Sequence, residues 1–235
     1  PFNRITGAMK IDHCFYVLRA WLVHFYTSLG LVCSFFALTA LLAGHPARFF
    51  LWLAIAAFID ATDGTLARKF EVKKYTPGFD GRKLDDITDY INYAFLPIYF
   101  AYHTGMVSGA GQFVLLFAIL AAVYGFCQGA AKTDDGFFTG FPNFWNFAIL
   151  YLYIFKAPPA LNAIVIFILS LLIWLPVKYI SFSTMPLRKI TVAVCIVYGV
   201  MLALLIKNLQ NPNPLLLWSS LLVPLYYVIA SLVLT

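Results

Sequence analysis

Six of the ten acidic residues are aspartates crowded into one short stretch: Asp60, Asp63, Asp80, Asp85, Asp86 and Asp89. Residues three or four apart on a helix share a face. Asp60 and Asp63 therefore form one pair of carboxylates, and Asp85 and Asp89 a second. If the two pairs stand on antiparallel helices joined by a short connection, all four carboxylates converge. Inside a membrane boundary each such charge costs roughly 2.5–3.5 kcal/mol on insertion scales, and mutual repulsion adds to that. A divalent cation relieves both costs. Carboxylate oxygens suit Mg²⁺ or Mn²⁺, and the absence of His and Cys from the stretch disfavours zinc. Paired metals, two ions about 3.5–4 Å apart, serve displacement at phosphorus.

The elements that must hold these residues are membrane helices. Of 235 residues, 62% are hydrophobic and only 11% charged, against about 25% charged in soluble domains. So few charges cannot cover so much apolar surface, which leaves lipid as the solvent. A bilayer core needs about 20 apolar residues per helix. The expected fold is an all-α integral membrane protein with about eight spans: 25–43, 48–68, 83–104, 112–131, 142–155, 161–178, 188–207 and 214–234. Before them, residues 1–24 mix Lys10, Asp12 and Arg19 with Phe15, Leu18 and Trp21 and read as an amphipathic interfacial helix. Residues 25–235 then form a single transmembrane domain. No signal peptide is expected. Cys14, Cys33, Cys127 and Cys195 lie far apart and predict neither a disulfide nor a zinc site.

With eight spans, both termini share one side. That side receives Arg4, Lys10, Arg19, Arg68, Lys69, Lys73, Lys74, Arg82, Lys83, Lys132, Lys178, Arg188 and Lys189, and the other only Arg48, Lys156 and Lys207. The asymmetry predicts that both termini and the aspartates face the cytoplasm. It also accounts for the net charge of +6 as an orientation signal and anionic-lipid contact, with no nucleic acid among the partners. The small residues Gly64, Ala67 and Gly81 lie near the aspartates; they either admit a flat ring or a pyrophosphate close to the backbone or let helices pack.

The stretch Asp60-x-x-Asp63-Gly64-x-x-Ala67-Arg68, a spacer, then Gly81-x-x-x-Asp85-x-x-x-Asp89 resembles the signature of the CDP-alcohol phosphotransferase family at every fixed position. The spacer, Lys69 to Asp80, has twelve residues where eight are usual. The longer spacer and the segment from Ala131 to Asn146 resemble the bacterial subgroup that makes phosphatidylcholine. The resemblance implies transfer of a phosphatidyl group from CDP-diacylglycerol to choline with release of CMP, in a multi-pass protein of the bacterial inner membrane that forms a homodimer. It implies Asp60, Asp63, Asp85 and Asp89 as ligands of Mn²⁺ or Mg²⁺, in all two ions, and Asp89 as the general base. It assigns Gly64, Ala67, Arg68 and Gly81 to the CDP moiety, with Arg68 pairing either a signature aspartate or phosphate.

Two further needs follow from those substrates. The lipid phosphate needs a cation, for which Lys132 is the candidate, or else Lys132 is a positive-inside anchor. Choline's quaternary ammonium donates no hydrogen bond, so aromatic faces and nearby carboxylates recognise it; Asp86, Tyr90, Tyr93 and Trp145 are candidates. The same chemistry with serine or another alcohol acceptor is the nearest alternative, and a cation transporter a remote one, because the aspartates crowd one face of the bilayer instead of lining a path through it.

Overall fold

The computed structural model describes the backbone of residues 2–128, 137–175, 177–180 and 188–234. The chain is an all-α integral membrane protein. Helix α1 (Phe2–Leu42) runs without a break through both the expected interfacial segment and the first span. It ends where Gly44 adopts φ +74°. That left-handed residue lets the N–H groups of Gly44 and His45 return to the carbonyls of Leu41 and Ala40, closing the helix end. Pro46 then starts α2 (Pro46–Lys69) at a position where its missing N–H costs nothing, and α2 packs back along α1.

The twelve-residue spacer is structured. Glu71, at φ 48°, redirects the chain into a single turn, α3 (Val72–Tyr75). Its Val72 is buried with Ala20 and Val23 of α1. The Tyr75 ring stacks on Tyr16 at 5.1 Å, and Arg19 lies 4.3 Å from the centroid of Phe70. The connection between the two aspartate pairs is thus docked on α1. Asp80 then caps α4 (Gly81–Asp89) by accepting from the Lys83 N–H at 3.0 Å.

The third expected span is one path made of three pieces: α4, a π-turn over Tyr90–Phe95, and α5 (Leu96–His103). Pro97 lacks the N–H that would bond residue 93, and the widened turn accommodates that loss. Next come α6 (Gln112–Cys127), α7 (Trp145–Ile154), α8 (Pro159–Trp174), α9 (Arg188–Lys207), α10 (Pro214–Ser220) and α11 (Leu222–Leu234). Strands β1 (Phe137–Thr139) and β2 (Lys178–Ile180) form a small antiparallel pair that joins the connection before α7 to that after α8.

Each expected span contains helix, but lengths differ; residues 129–131 of the fourth lie outside the described residues, and the sixth leaves helix after Trp174. Asp12–Leu42, Pro46–Lys69, Gly109–Cys127 and Pro214–Ser231 are long and apolar enough to cross a bilayer, whereas Trp145–Ile154, Pro159–Trp174 and Val192–Lys207 are shorter. At 1.5 Å per residue, α7 covers about 15 Å, half the hydrocarbon core. Gly140 (φ 84°) and Asn143 (φ 56°) hold the chain out of helix just before it. The core joins Phe49 and Phe50 of α2, Phe100 of α5, Trp145 and Ile149 of α7, Ile166 of α8 and Leu205 of α9. On α6, Ala118, Ala121 and Ala122 are buried, the small-residue surface that lets membrane helices approach closely. Phe113, Leu116 and Leu120 on the same helix are exposed, as are Ile196, Val197 and Val200 of α9. Lipid is the solvent for such surfaces.

Candidate functional site

The two aspartate pairs meet. Carboxylate oxygens of Asp60, from α2, and of Asp85 and Asp89, from α4, all lie within 4.8 Å of one another, and all three residues are half-buried. Asp63 is more deeply buried, at 6% exposure. It stands beside Asp85 but does not share the three-carboxylate group. One oxygen of Asp63 is held by α1: the Thr27 hydroxyl donates to Oδ2 at 2.8 Å. One oxygen of Asp60 is held by the π-turn: the Tyr93 hydroxyl donates to Oδ2 at 2.7 Å.

Helix α1 sets the approach of α4. The Gly30 carbonyl accepts from the Asn92 side-chain amide at 3.1 Å, and Ser34 donates to Asn92 Oδ1 at 3.0 Å. The contact is so close that a Cβ on Gly30 would lie 2.5 Å from the Thr88 methyl carbon. Nearly two turns earlier, His24 shares a hydrogen bond with the Thr76 hydroxyl at 2.9 Å and packs on Phe79, ring centroids 4.4 Å apart. His24, Thr27, Gly30 and Ser34 therefore form a polar stripe on one face of α1. The stripe touches α2, the spacer and α4 in turn, and fixes the register that brings the carboxylates together.

Half-buried carboxylates repel one another unless a cation joins them. Among the described residues, the ion pairs are Lys74–Glu71 at 3.2 Å and Arg82–Asp86 at 4.0 Å, and neither reaches Asp60, Asp63, Asp85 or Asp89. An oxygen-only donor set with no counter-charge among the described residues could hold a hard divalent cation, the class to which Mg²⁺ and Mn²⁺ belong.

The small residues separate by environment. Among the described residues a Cβ on Gly64 would meet only the Arg68 guanidinium, at 3.5 Å, so these leave space over Gly64. A Cβ on Gly81 would lie 2.7 Å from Cε1 of His24, so Gly81 is needed for packing. Ala67 rests partly on the Ala20, Val23 and Val72 cluster. The exposed Arg68 donates to the Thr65 hydroxyl at 3.2 Å and pairs with no described carboxylate.

The expected choline residues scatter. Asp86 points toward Arg82. Tyr90 packs edge-on against Phe126 at 5.8 Å. Tyr93 is the one that reaches the aspartates, through its hydroxyl. Trp145 is fully buried in the core, donating Nε1–H to Asn143 Oδ1 at 3.2 Å, so its indole presents no free face. Lys132 lies outside the described residues. Thr27, Asn92 and His24 went unread in the sequence; the i, i+3 polar spacing of His24 and Thr27 inside an apolar helix was the signal available for two of them.

No family model matches the chain. Curated relatives do. A phosphatidylcholine synthase of Legionella bozemanae is 42% identical over 179 residues, covering 72% of this chain and 82% of that protein. The phosphatidylcholine synthase of Borreliella burgdorferi is 37% identical over 183 residues, covering 77% and 78%. That of Legionella pneumophila is 38% identical over 212 residues, covering 86% and 82%. With likeness of this extent, and an aspartate cluster built on the expected signature, the chain belongs to the phosphatidylcholine synthase family of CDP-alcohol phosphotransferases.

Proposed function

We propose that the protein transfers the phosphatidyl group of CDP-diacylglycerol to choline, releasing CMP and forming phosphatidylcholine. The observation that carries this reading is the meeting of Asp60, Asp85 and Asp89 within 4.8 Å on a chain whose relatives are phosphatidylcholine synthases.

Asp60, Asp85 and Asp89 would hold Mn²⁺ or Mg²⁺, with Asp63 beside them completing a set able to take a second ion. Ions held there would supply positive charge to offset that of the pyrophosphate and of the departing CMP. Asp89 accepts the proton of the choline hydroxyl. The choline oxygen then bonds to the lipid-side phosphorus while the bond from that phosphorus to the bridging oxygen breaks, and the electron pair leaves with CMP. The open face over Gly64, with Arg68 one turn beyond, receives the cytidine nucleotide; Ala67 and Gly81 border it. Lys132 is the proposed partner of the lipid phosphate. Choline is proposed to sit among Asp86, Tyr90 and Tyr93.

The basic-residue asymmetry supports a site and both termini on the cytoplasmic face of the inner membrane. A homodimer, and an interfacial role for residues 1–24, complete the proposal.

An acceptor panel tests it. Purified protein with CDP-diacylglycerol and Mn²⁺ receives choline, serine, glycerol 3-phosphate or inositol phosphate separately, and CMP release and lipid product are followed. Phosphatidylcholine formed from choline alone is expected. Release of CMP with a different acceptor would discard choline but keep the metal site; no release with any acceptor would discard the transferase reading.

A further inference from the structure

From two cross-helix hydrogen bonds we infer that Thr27 and Tyr93 are positioning residues: each fixes one oxygen of an α2 aspartate so that the other oxygen is aimed at the metal. The inference rests on the metal reading above. Neither residue belongs to the family signature, and each reaches the cluster from a different element. Thr27 comes from α1 and donates to Asp63 Oδ2 at 2.8 Å; Tyr93 comes from the π-turn and donates to Asp60 Oδ2 at 2.7 Å.

A hydroxyl has a single proton to donate. In each case that proton occupies one carboxylate oxygen, and among the described residues no second hydroxyl donates to the partner oxygen. The division is regular. Both aspartates of α2 have a hydroxyl donor, whereas among the described residues no hydroxyl donates to Asp85 or Asp89 of α4. The α2 pair is thereby the half of the site held by hydroxyl donors. Tyr93 also follows Asp89 by one turn, so its bond to Asp60 ties the helix carrying the α4 pair directly to α2. The placement depends on the π-turn at Tyr90–Phe95, which rotates the side chains that follow Asp89 relative to a regular helix. Groups that orient metal ligands in this way commonly change metal affinity or activity about 10–100-fold when removed.

The test uses the full-length protein in detergent micelles, with Mn²⁺ binding followed by electron paramagnetic resonance and CMP release measured across the same Mn²⁺ range. Thr27→Val exchanges the hydroxyl for a methyl and Tyr93→Phe removes it, so each loses the donor with little change of side-chain shape. Each is expected to weaken Mn²⁺ binding by about 10-fold or more, with the Mn²⁺ needed for half-maximal rate rising in parallel and, for Thr27→Val, the choline KM little changed. Thr27→Ser, which restores the donor, is expected to restore binding. Mn²⁺ binding in Thr27→Val and Tyr93→Phe indistinguishable from the unsubstituted protein would overturn the inference, as would failure of Thr27→Ser to rescue. No Mn²⁺ binding by the unsubstituted protein would instead overturn the metal reading, and the inference with it.

Discussion

Gly81 lies directly against His24: a Cβ added to the glycine would stand 2.7 Å from Cε1 and 3.2 Å from Nδ1 of that imidazole. The ring has little room to move, since it is bonded to Thr76 and packed between Trp21 and Phe79. A signature glycine is here a packing requirement, which ties the start of α4 to α1.

Gly81→Ala is therefore expected to destabilise the protein by about 1–3 kcal/mol, the usual cost of overpacking. The penalty should shrink in a His24→Ala background, because the two positions are in contact. Thermal unfolding of the four proteins of this cycle reads the coupling. A penalty that does not change when His24 is truncated would place the role of Gly81 elsewhere.

Gly30 and Thr88 make the corresponding contact further along α1, where the added Cβ would lie 2.5 Å from the Thr88 methyl carbon. Gly30→Ala is expected to push α4 away from α1, lowering both thermal stability and CMP release. Thr88→Ser removes the methyl and keeps the hydroxyl that donates to the Leu84 carbonyl. It should recover most of the loss in the double variant, and a double variant no better than Gly30→Ala would contradict the steric explanation.

Gly64 should behave in the opposite way. Its Cβ would make only an ordinary 3.5 Å contact with Arg68, and alanine in place of glycine inside a helix adds about 0.5–1 kcal/mol of stability. Gly64→Ala is expected to melt no lower than the unsubstituted protein while the KM for CDP-diacylglycerol rises, since the methyl enters space proposed for the nucleotide. An unchanged KM would remove Gly64 from the nucleotide site.

Removing the metal should stop turnover. Chelation followed by dialysis is expected to abolish CMP release, with Mn²⁺ or Mg²⁺ restoring it and Zn²⁺ failing, because an all-carboxylate set favours hard cations. Full activity after chelation would contradict the metal-dependent mechanism.

The aspartate cluster was legible in the sequence because i, i+3 and i, i+4 spacing is a property of the helix itself. The membrane class was legible because 11% charge cannot solvate such a chain. What was hidden depends on distances between elements. Thr27 meets a residue 36 positions away and Tyr93 one 33 positions away, and nothing local marks one tyrosine of fourteen as the one that reaches an aspartate. The burial of Trp145 was equally invisible, since an aromatic ring in an apolar helix reads the same whether it faces lipid, ligand or core. The spacer's length suggested a subgroup but not that α3 docks on α1. Nor did hydropathy show that α7 stops at ten residues, since the apolar run extends through positions that the backbone of Asn143 breaks.

The most direct measurement is phosphatidylcholine formation by Asp89→Asn protein under saturating Mn²⁺, beside unsubstituted protein. Asparagine keeps the shape of the side chain but cannot accept the choline proton. Loss of a general base costs about 10²–10⁴-fold, so turnover should fall at least that far, with CDP-diacylglycerol binding retained. Turnover close to that of the unsubstituted protein would contradict base catalysis by Asp89 and the mechanism built on it.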